Sequence, residues 1–272
     1  MVPTQSGCYV AEVVYTQAEE QKQLDPSLVA AVDIGVNNLA ALTSNKAGFV
    51  PQLVNGRSIK SVNQRYNKQA AKLRKKMSHH HHTSRELERI SAKRTRRIDH
   101  YMHAVSRRII DLLVREGIGT LIIGKNPGWK QETNMSKKNN QHFVQLPHAR
   151  FIDMLTYKAQ LVGIKVMIQE ESYTSKASFL DLDKIPVYGK TGEKKPVFSG
   201  RRISRGLYKA KSGRAFNADV NGSYNILRKA LPDAFSNGIK DVNKMLVTLP
   251  ASLVVHPARI VIPSKPKMSR VR

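Results

Sequence analysis

Acidic residues are scarce in this 272-residue chain: 20 Asp and Glu stand against 46 Lys and Arg, for a formal net charge of +26. A sequence pI near 10.3 makes nucleic acid the expected partner, with an anionic membrane surface as the rival. No amphipathic basic helix with a bulky apolar face stands out, which disfavours the membrane. Cysteine is nearly absent. The single Cys8 excludes an internal disulfide and a Cys-rich zinc ribbon, and it suits a reducing, cytoplasmic setting. No stretch approaches the roughly 18 apolar residues of a membrane span. The N-terminus MVPTQSGCYV lacks a basic region followed by an apolar one, so neither secretion nor membrane insertion is expected. Tryptophan occurs once, at Trp129.

What is present is enough for a core: 40% of the residues are hydrophobic, sufficient for one large domain or two small ones. CYVAEVVYT (Cys8 to Thr16) alternates like a strand, and QAEEQKQLDPS reads as a linker. LVAAVDIGVNNLAALTS (Leu28 to Ser44) predicts two antiparallel strands joined by a tight turn, and Gly48 to Val54 a third strand. From Arg57 to Arg108 the period becomes helical, with sixteen Lys or Arg against Glu86, Glu88 and Asp99, so half of the excess charge lies there. Two long helices, separated by SHHHHTS, would pair through apolar seams into a hairpin with basic outer faces. His79 to His82 read as a solvated loop rather than a metal site. TLIIG is a buried strand, KNPGWKQETNMSKKNNQ a polar loop, Leu146 to Val162 a helix opened by Pro147, and IKVMIQEESY a further strand. The Gly, Pro, Lys and Arg-rich stretch up to Arg214 predicts a loop or small subdomain, and Phe216 to Leu231 a last helix. The tail PSKPKMSRVR reads as frayed.

Against so basic a background, three carboxylates stand out. Asp33 ends a strand before Gly35, which permits a sharp turn and close ligand approach, although a strand-end Asp also caps turns. Glu170 and Glu171 follow the apolar strand, and neighbours in a strand point to opposite sides. Asp219 opens a helix, where it either caps the helix or binds an ion; the surrounding Asn217, Asn221 and Asn225 suit a hydrated ion site. Together the three supply oxygen ligands from separate elements, as two hard divalent cations beside a phosphodiester require.

At these residues the chain resembles the TnpB (OrfB) proteins of insertion sequences, RNA-guided DNA nucleases related to type V CRISPR effectors. AVDIGVNNLA is similar to the first RuvC motif. NGRSIKSVNQRYNKQAAKL, KRTRRIDHYMHAVSRRII, GKNPGWKQ, ESYTSKAS, FSGRRISRGLY and NADVNGSYNILRK follow in the family's order, so that the resemblance covers Leu28 to Lys229. It implies an RNase H-like (RuvC) α/β fold, a mixed sheet flanked by helices with an inserted basic helical hairpin. Two departures from the pattern matter. The usual second-motif glutamate position holds Gly124, and in a rearranged subtype the glutamate lies just ahead of the TS dipeptide, which gives Glu171, with Glu170 in reserve and Glu132 a poor third. Where zinc-ribbon cysteines would follow that dipeptide, Ser178 stands and no thiol, so zinc is not expected.

The resemblance further implies Mg²⁺-dependent cleavage of DNA, with Asp33 bridging two ions and Glu171 and Asp219 completing one site each. A guide RNA is the implied second partner. Nucleic acid would be held by Arg65, Lys68, Lys72, Arg74, Lys75, Lys93, Arg94 and Arg97 of the hairpin and by Arg201, Arg202 and Arg205. In the polar loop Trp129, beside Lys130, either stacks on a base or anchors the loop. The expected division runs from a remnant wedge-type strand and linker (1–27) into the first core part (28–56) and the hairpin (57–116). The second core part (117–179), a basic loop or degenerate ribbon equivalent (180–214), the last core helix (215–231) and a C-terminal extension (232–272) follow. Family members carry a recognition and wedge region before the first motif, so an N-terminally truncated or misassigned reading frame is expected. A prokaryotic, nucleoid-associated location fits this reading. The rivals are a non-catalytic nucleic-acid-binding remnant or repressor and a ribosomal-type RNA-binding protein.

Overall fold

A computed structural model describes residues 2–3, 9–11, 13–77, 82–126, 141, 144–187, 196–235 and 254–262. Trp129, Lys130, Glu132, His79 to His81 and the tail after residue 262 lie outside the described residues.

At the N-terminus, β1 (Val2–Pro3) and β2 (Tyr9–Val10) pair antiparallel. Of the strand expected over Cys8 to Thr16, only Tyr9 and Val10 form a strand among the described residues. Val13, Val14 and Tyr15 are exposed without regular structure, because the alternating pattern finds no sheet to bury its apolar side. The core begins with an antiparallel meander of β3 (Asp25–Asp33), β4 (Asn38–Ser44) and β5 (Gln52–Asn55). β6 (Ile118–Gly124) adds parallel to β3, β7 (Lys165–Gln169) parallel to β6, and β11 (Ala258–Ile260) parallel to β5. The mixed sheet therefore runs β11-β5-β4-β3-β6-β7. Helices flank it on both faces, which is the expected fold class.

Two-residue alternation sorts the side chains. Ala30, Val32, Leu121 and Ile123 face one core with α2 (Arg85–Arg115) and α3 (His148–Gln160). Val29, Ala31 and Ile122 face the other, with α4 (Ala218–Ala230). Parity therefore sends Asp33 and Gly124 to the α4 face.

The charged segment forms α1 (Arg57–Lys75) and the 31-residue α2, whose first turn is capped by the Ser84 hydroxyl accepting from Leu87 N. The two pair over a short seam of Ala70, Leu87 and Ile90, flanked by Tyr66 and Leu73. From Ile98 onward the apolar stripe of α2 turns to the sheet, so the hairpin grows directly out of the core.

Between β7 and α4, a three-stranded sheet of β8 (Arg201–Ser204), β9 (Leu207–Lys209) and β10 (Ala215–Asn217) packs over fully buried Tyr208. Asp181 and Asp183 tie its approach together. Asp183 Oδ2 accepts from Ser178 N and Ser199 N, at 2.7 and 3.0 Å, and Asp181 Oδ2 accepts from Lys211 N at 2.8 Å. Hydrogen bonds to two carboxylates thus cross-link this subdomain.

Candidate active site

Asp33 sits at the end of β3, partly open to solvent, with its side chain toward α4. The helix comes close because residue 222 is glycine: a Cβ there would stand 2.6 Å from Asp33 Oδ2. One turn of buried polar contact holds the helix in that position. Ser223 Oγ donates to Ala31 O at 2.9 Å and lies 2.9 Å from Thr43 Oγ1.

The strand β7 ends at Gln169, paired with Gly124, and both glutamates lie just beyond it, where strict alternation no longer applies. Their surroundings separate them. Glu170 forms an ion pair with the nearly buried Lys229 and accepts from Ser172 N at 2.7 Å. Glu171 turns back over β6. Its Oε2 is buried, and a Cβ on Gly124 would stand 2.7 Å from that oxygen and 2.6 Å from Ile226 Cδ1. The Glu171 carboxylate thus fills the space above Gly124. Asn126 steers it, with its Oδ1 accepting from Glu171 N at 3.0 Å and its Nδ2 donating to Oε1 at 3.4 Å.

Asp219 occupies the first turn of α4 without capping it. The cap is Asn217, whose side-chain oxygen accepts from Asp219 N and Val220 N. The other asparagines are also structural. Asn221 accepts from Phe179 N and donates to Ala177 O, and Asn225 donates to Thr174 O and Ala177 O. Both are fully buried, so the hydrated ion site expected from this asparagine cluster is replaced by staples that hold the 174–179 loop against α4. Asp219 keeps its carboxylate for outside partners: Asn38 Nδ2 donates to Oδ2 at 2.7 Å, and Arg202 Nη2 lies 3.2 Å from Oδ1.

The three acids feel one another. Burial pushes the Asp33 carboxyl well above the ordinary carboxylate range, the charges of Glu171 and Asp219 add to that rise, and Arg202 opposes it. Among the described residues no three acidic, His or Cys side chains are drawn into a closed metal-ligand group. Asn126 and the Asn38 and Arg202 pair hold two of the carboxylates instead. The donor set nevertheless fits a hard divalent cation, because all three groups are carboxyl oxygens, and Gly124 and Gly222 let two of them lie close against β6 and α4.

Basic residues gather in two places. A cleft of about 330 Å³ between α1 and α2 is lined by Arg65, Lys72, Lys93, Arg94 and Arg97 over Tyr66 and Ile90. Lys68, Arg74 and Lys75 are exposed on α1 outside it. Arg94 is engaged within the protein, donating to Asn63 Oδ1 at 2.6 Å with its guanidinium over the Tyr66 ring. A second cleft, of about 980 Å³, opens beside Asp219 and contains Arg202 and Arg205 but not Arg201. It also contains Arg57, Lys60 and Arg259, which sequence reasoning missed. Arg57 and Lys60 were legible only as part of a charge run, and nothing in the sequence around Arg259 links it to the first motif. Asn38 and Asn126 were likewise unremarked, although each lies within a motif segment.

Known proteins are similar to this chain over most of its length. The model of the OrfB_IS605 family, described as a probable transposase, matches residues 12–130, and that of the Cas12f1-like TNB domain matches residues 148–226. The chain is 26% identical over 139 residues to the CRISPR-associated endodeoxyribonuclease Cas12f1 of Sulfoacidibacillus thermotolerans, a match covering 51% of this chain and 28% of that protein. Two cryo-EM structures share the fold. Cas12f1 in its complex with sgRNA and target DNA matches with a TM-score of 0.53 at 20% identity, and a CRISPR-Cas12f ternary complex with 0.54 at 19%. These matches cover 76% and 78% of this chain and 40% of each of those chains. The chain therefore spans less than half the length of each of these relatives. The family context is that of nucleic-acid-binding, nuclease-related proteins, and no helix among the described residues is long and apolar enough to cross a membrane. Over residues 12–130 and 148–226 the chain is thus similar to OrfB-type, TnpB-like proteins and to their type V CRISPR effector relatives, and it shares the fold of the latter.

Proposed function

We propose that this chain is a transposon-encoded DNA-binding protein that acts as an RNA-guided DNA endonuclease, hydrolysing phosphodiesters in a RuvC-like site. What supports the proposal is that Glu171, from the turn after β7, and Asp219, from α4, act by their charge on Asp33 at the end of β3, with α4 drawn against Asp33 at Gly222. Asp33, Glu171 and Asp219 would hold Mg²⁺. Bound there, the ions would supply charge neutralisation at the phosphoryl oxygens and an activated water. The chain's own groups do the rest. Asn126 and Asn38 orient Glu171 and Asp219, and the basic clefts bring a polyanion to the carboxylates.

The division into a core in two parts, a hairpin insert, a cysteine-free subdomain and a C-terminal extension is part of the same proposal, as is the pairing with a guide RNA. Replacing Asp33, Glu171 and Asp219 by alanine, singly and together, should abolish Mg²⁺-dependent cleavage of single-stranded DNA; undiminished cleavage would sink the assignment. The contact between Arg202 and Asp219 favours one rival, a non-catalytic nucleic-acid binder in which a guanidinium takes the cation's place. On that reading the protein would bind DNA and respond to Mg²⁺ neither in cleavage nor in melting temperature.

A further inference from the structure

One face of α4 serves all three acids. Asp219, Gly222, Ile226 and Lys229 recur at three- and four-residue steps and so share a stripe of the helix. The first carries a carboxylate, the second lets Asp33 Oδ2 approach, and the third flanks Gly124 together with Glu171 Oε2. Lys229, in the last turn, completes the stripe, and its side chain is only 6% exposed. A nearly buried ammonium is costly unless its protons are taken, so where they go is informative. They go to the turn that bears Glu171. Lys229 Nζ donates to Ser172 O at 2.9 Å and to Glu170 Oε2. One helical turn earlier, Asn225 Nδ2 donates to Thr174 O at 2.9 Å. The two side chains thus grip the carbonyls on either side of Tyr173.

Tyr173 needs that grip. Its φ of 66° lies in the left-handed region that a bulky residue rarely adopts, and such a conformation persists only where the surroundings over-determine it. Held there, the chain turns back sharply, and Thr174 N and Oγ1 both donate to Glu171 O, at 3.2 and 2.8 Å. Glu171 N donates on its other side to Asn126 Oδ1 at 3.0 Å, which fixes the backbone at both ends of the residue. Glu170 is meanwhile drawn aside by Lys229, leaving one of two adjacent glutamates to turn over β6. The charges that act on Asp33 are those of Glu171, Asp219 and Arg202, so Lys229 works through geometry rather than through its field.

We propose that Lys229 is a positioning residue for Glu171: by gripping the Ser172 carbonyl before left-handed Tyr173, and by drawing Glu170 aside, it presents Glu171 to the site. The proposal rests on reading Asp33, Glu171 and Asp219 as the metal centre. It makes α4 the element that spaces all three acids.

The test uses the full chain in two assays, calorimetric titration with Mn²⁺ and amide hydrogen exchange in EDTA. Lys229→Met should weaken Mn²⁺ binding by about 10–100-fold, as loss of a partner behind a metal ligand does. The Glu171 and Thr174 amides should lose protection while those of β3 and β6 keep theirs. Glu170→Gln breaks the ion pair but leaves the bond to Ser172 O, so it should keep the parent's affinity and protection. Because Lys229→Met strips Glu170 of its cation, Glu170→Gln with Lys229→Met repeats the test with no unpaired charge, and it should show the same losses. Parent-like Mn²⁺ affinity in both Lys229 variants, or an equal loss in Glu170→Gln alone, overturns the proposal. A parent that binds no Mn²⁺ refutes the metal centre instead. Exchange then decides the clamp: lost protection at Glu171 upholds it, and parent-like protection overturns it.

Discussion

Replacing Gly124 by alanine should displace Glu171 while leaving the sheet in register. The added Cβ would stand 2.6 Å from Ile226 Cδ1 and 2.7 Å from Glu171 Oε2. Carbon contacts settle at about 3.5–4.0 Å, so the neighbours must retreat by about 1 Å. Ile226 is fully buried in α4 and can yield only by moving the helix, whereas Glu171 belongs to a turn and is partly exposed. Glu171 should therefore move most. Overpacking of this kind costs about 1–3 kcal/mol, at roughly 2–4 °C of melting temperature per kcal/mol in a chain of this size. A misplacement of about 1 Å at a reacting centre lowers rates by about 10²-fold. The assays are thermal melting with and without Mg²⁺ and cleavage of labelled single-stranded DNA. A second substitution separates the two contacts: Gly124→Ala with Ile226→Val should recover the melting temperature but neither the Mg²⁺-induced rise nor cleavage. If Gly124→Ala melts and responds to Mg²⁺ like the parent, the claim that Glu171 occupies the space above Gly124 is wrong.

The raised Asp33 carboxyl has a pH signature. Its folded value lies above the unfolded one, so the stability it contributes is complete below the unfolded pKa and is lost as pH rises through the folded value. In metal-free buffer the melting temperature should fall across that window, and Asp33→Asn should flatten the fall; parallel curves would refute the burial and crowding invoked here. Glu170→Gln should destabilise the fold, because it strips the partner from nearly buried Lys229, at a cost of about 3 kcal/mol given the partial exposure of Glu170. It should retain the Mg²⁺ response, whereas Glu171→Gln should lose that response at little cost in stability; the reverse outcome would exchange their roles. Arg202→Gln removes the cation from Asp219 and should shift the Mg²⁺-dependent melting rise to lower Mg²⁺ concentration, which a magnesium titration would read. Asn217→Ala should cost about 0.5–2 kcal/mol through the lost cap, read by thermal melting.

Local pattern carried much of this architecture. The apolar runs around Asp33, the helical period through the basic segment and the run TLIIG each correspond to an observed element, because burial of one face acts residue by residue along the chain. The N-terminal strand failed for the same reason, since an alternating pattern without a neighbouring sheet has nothing to bury. At the site, the carboxylates were visible as rare charges in a basic chain, but the surrounding asparagines were misread. A short amide looks alike in sequence whether it faces an ion or, as at Asn221 and Asn225, staples a buried loop.

From its residues alone the chain reads as a basic α/β protein that resembles the TnpB family, with Asp33 and Asp219 each in a motif that points to one site. Only the tertiary structure separated the surroundings of the two glutamates, sending Glu170 to Lys229 and Glu171 to the space above Gly124. It also assigned the cap to Asn217 and brought Arg259 beside Arg57 and Lys60. The physical reason is range. Periodicity and charge are properties of neighbouring residues, whereas a carboxylate's partner and a cleft's walls depend on which distant segments the packed sheet brings together.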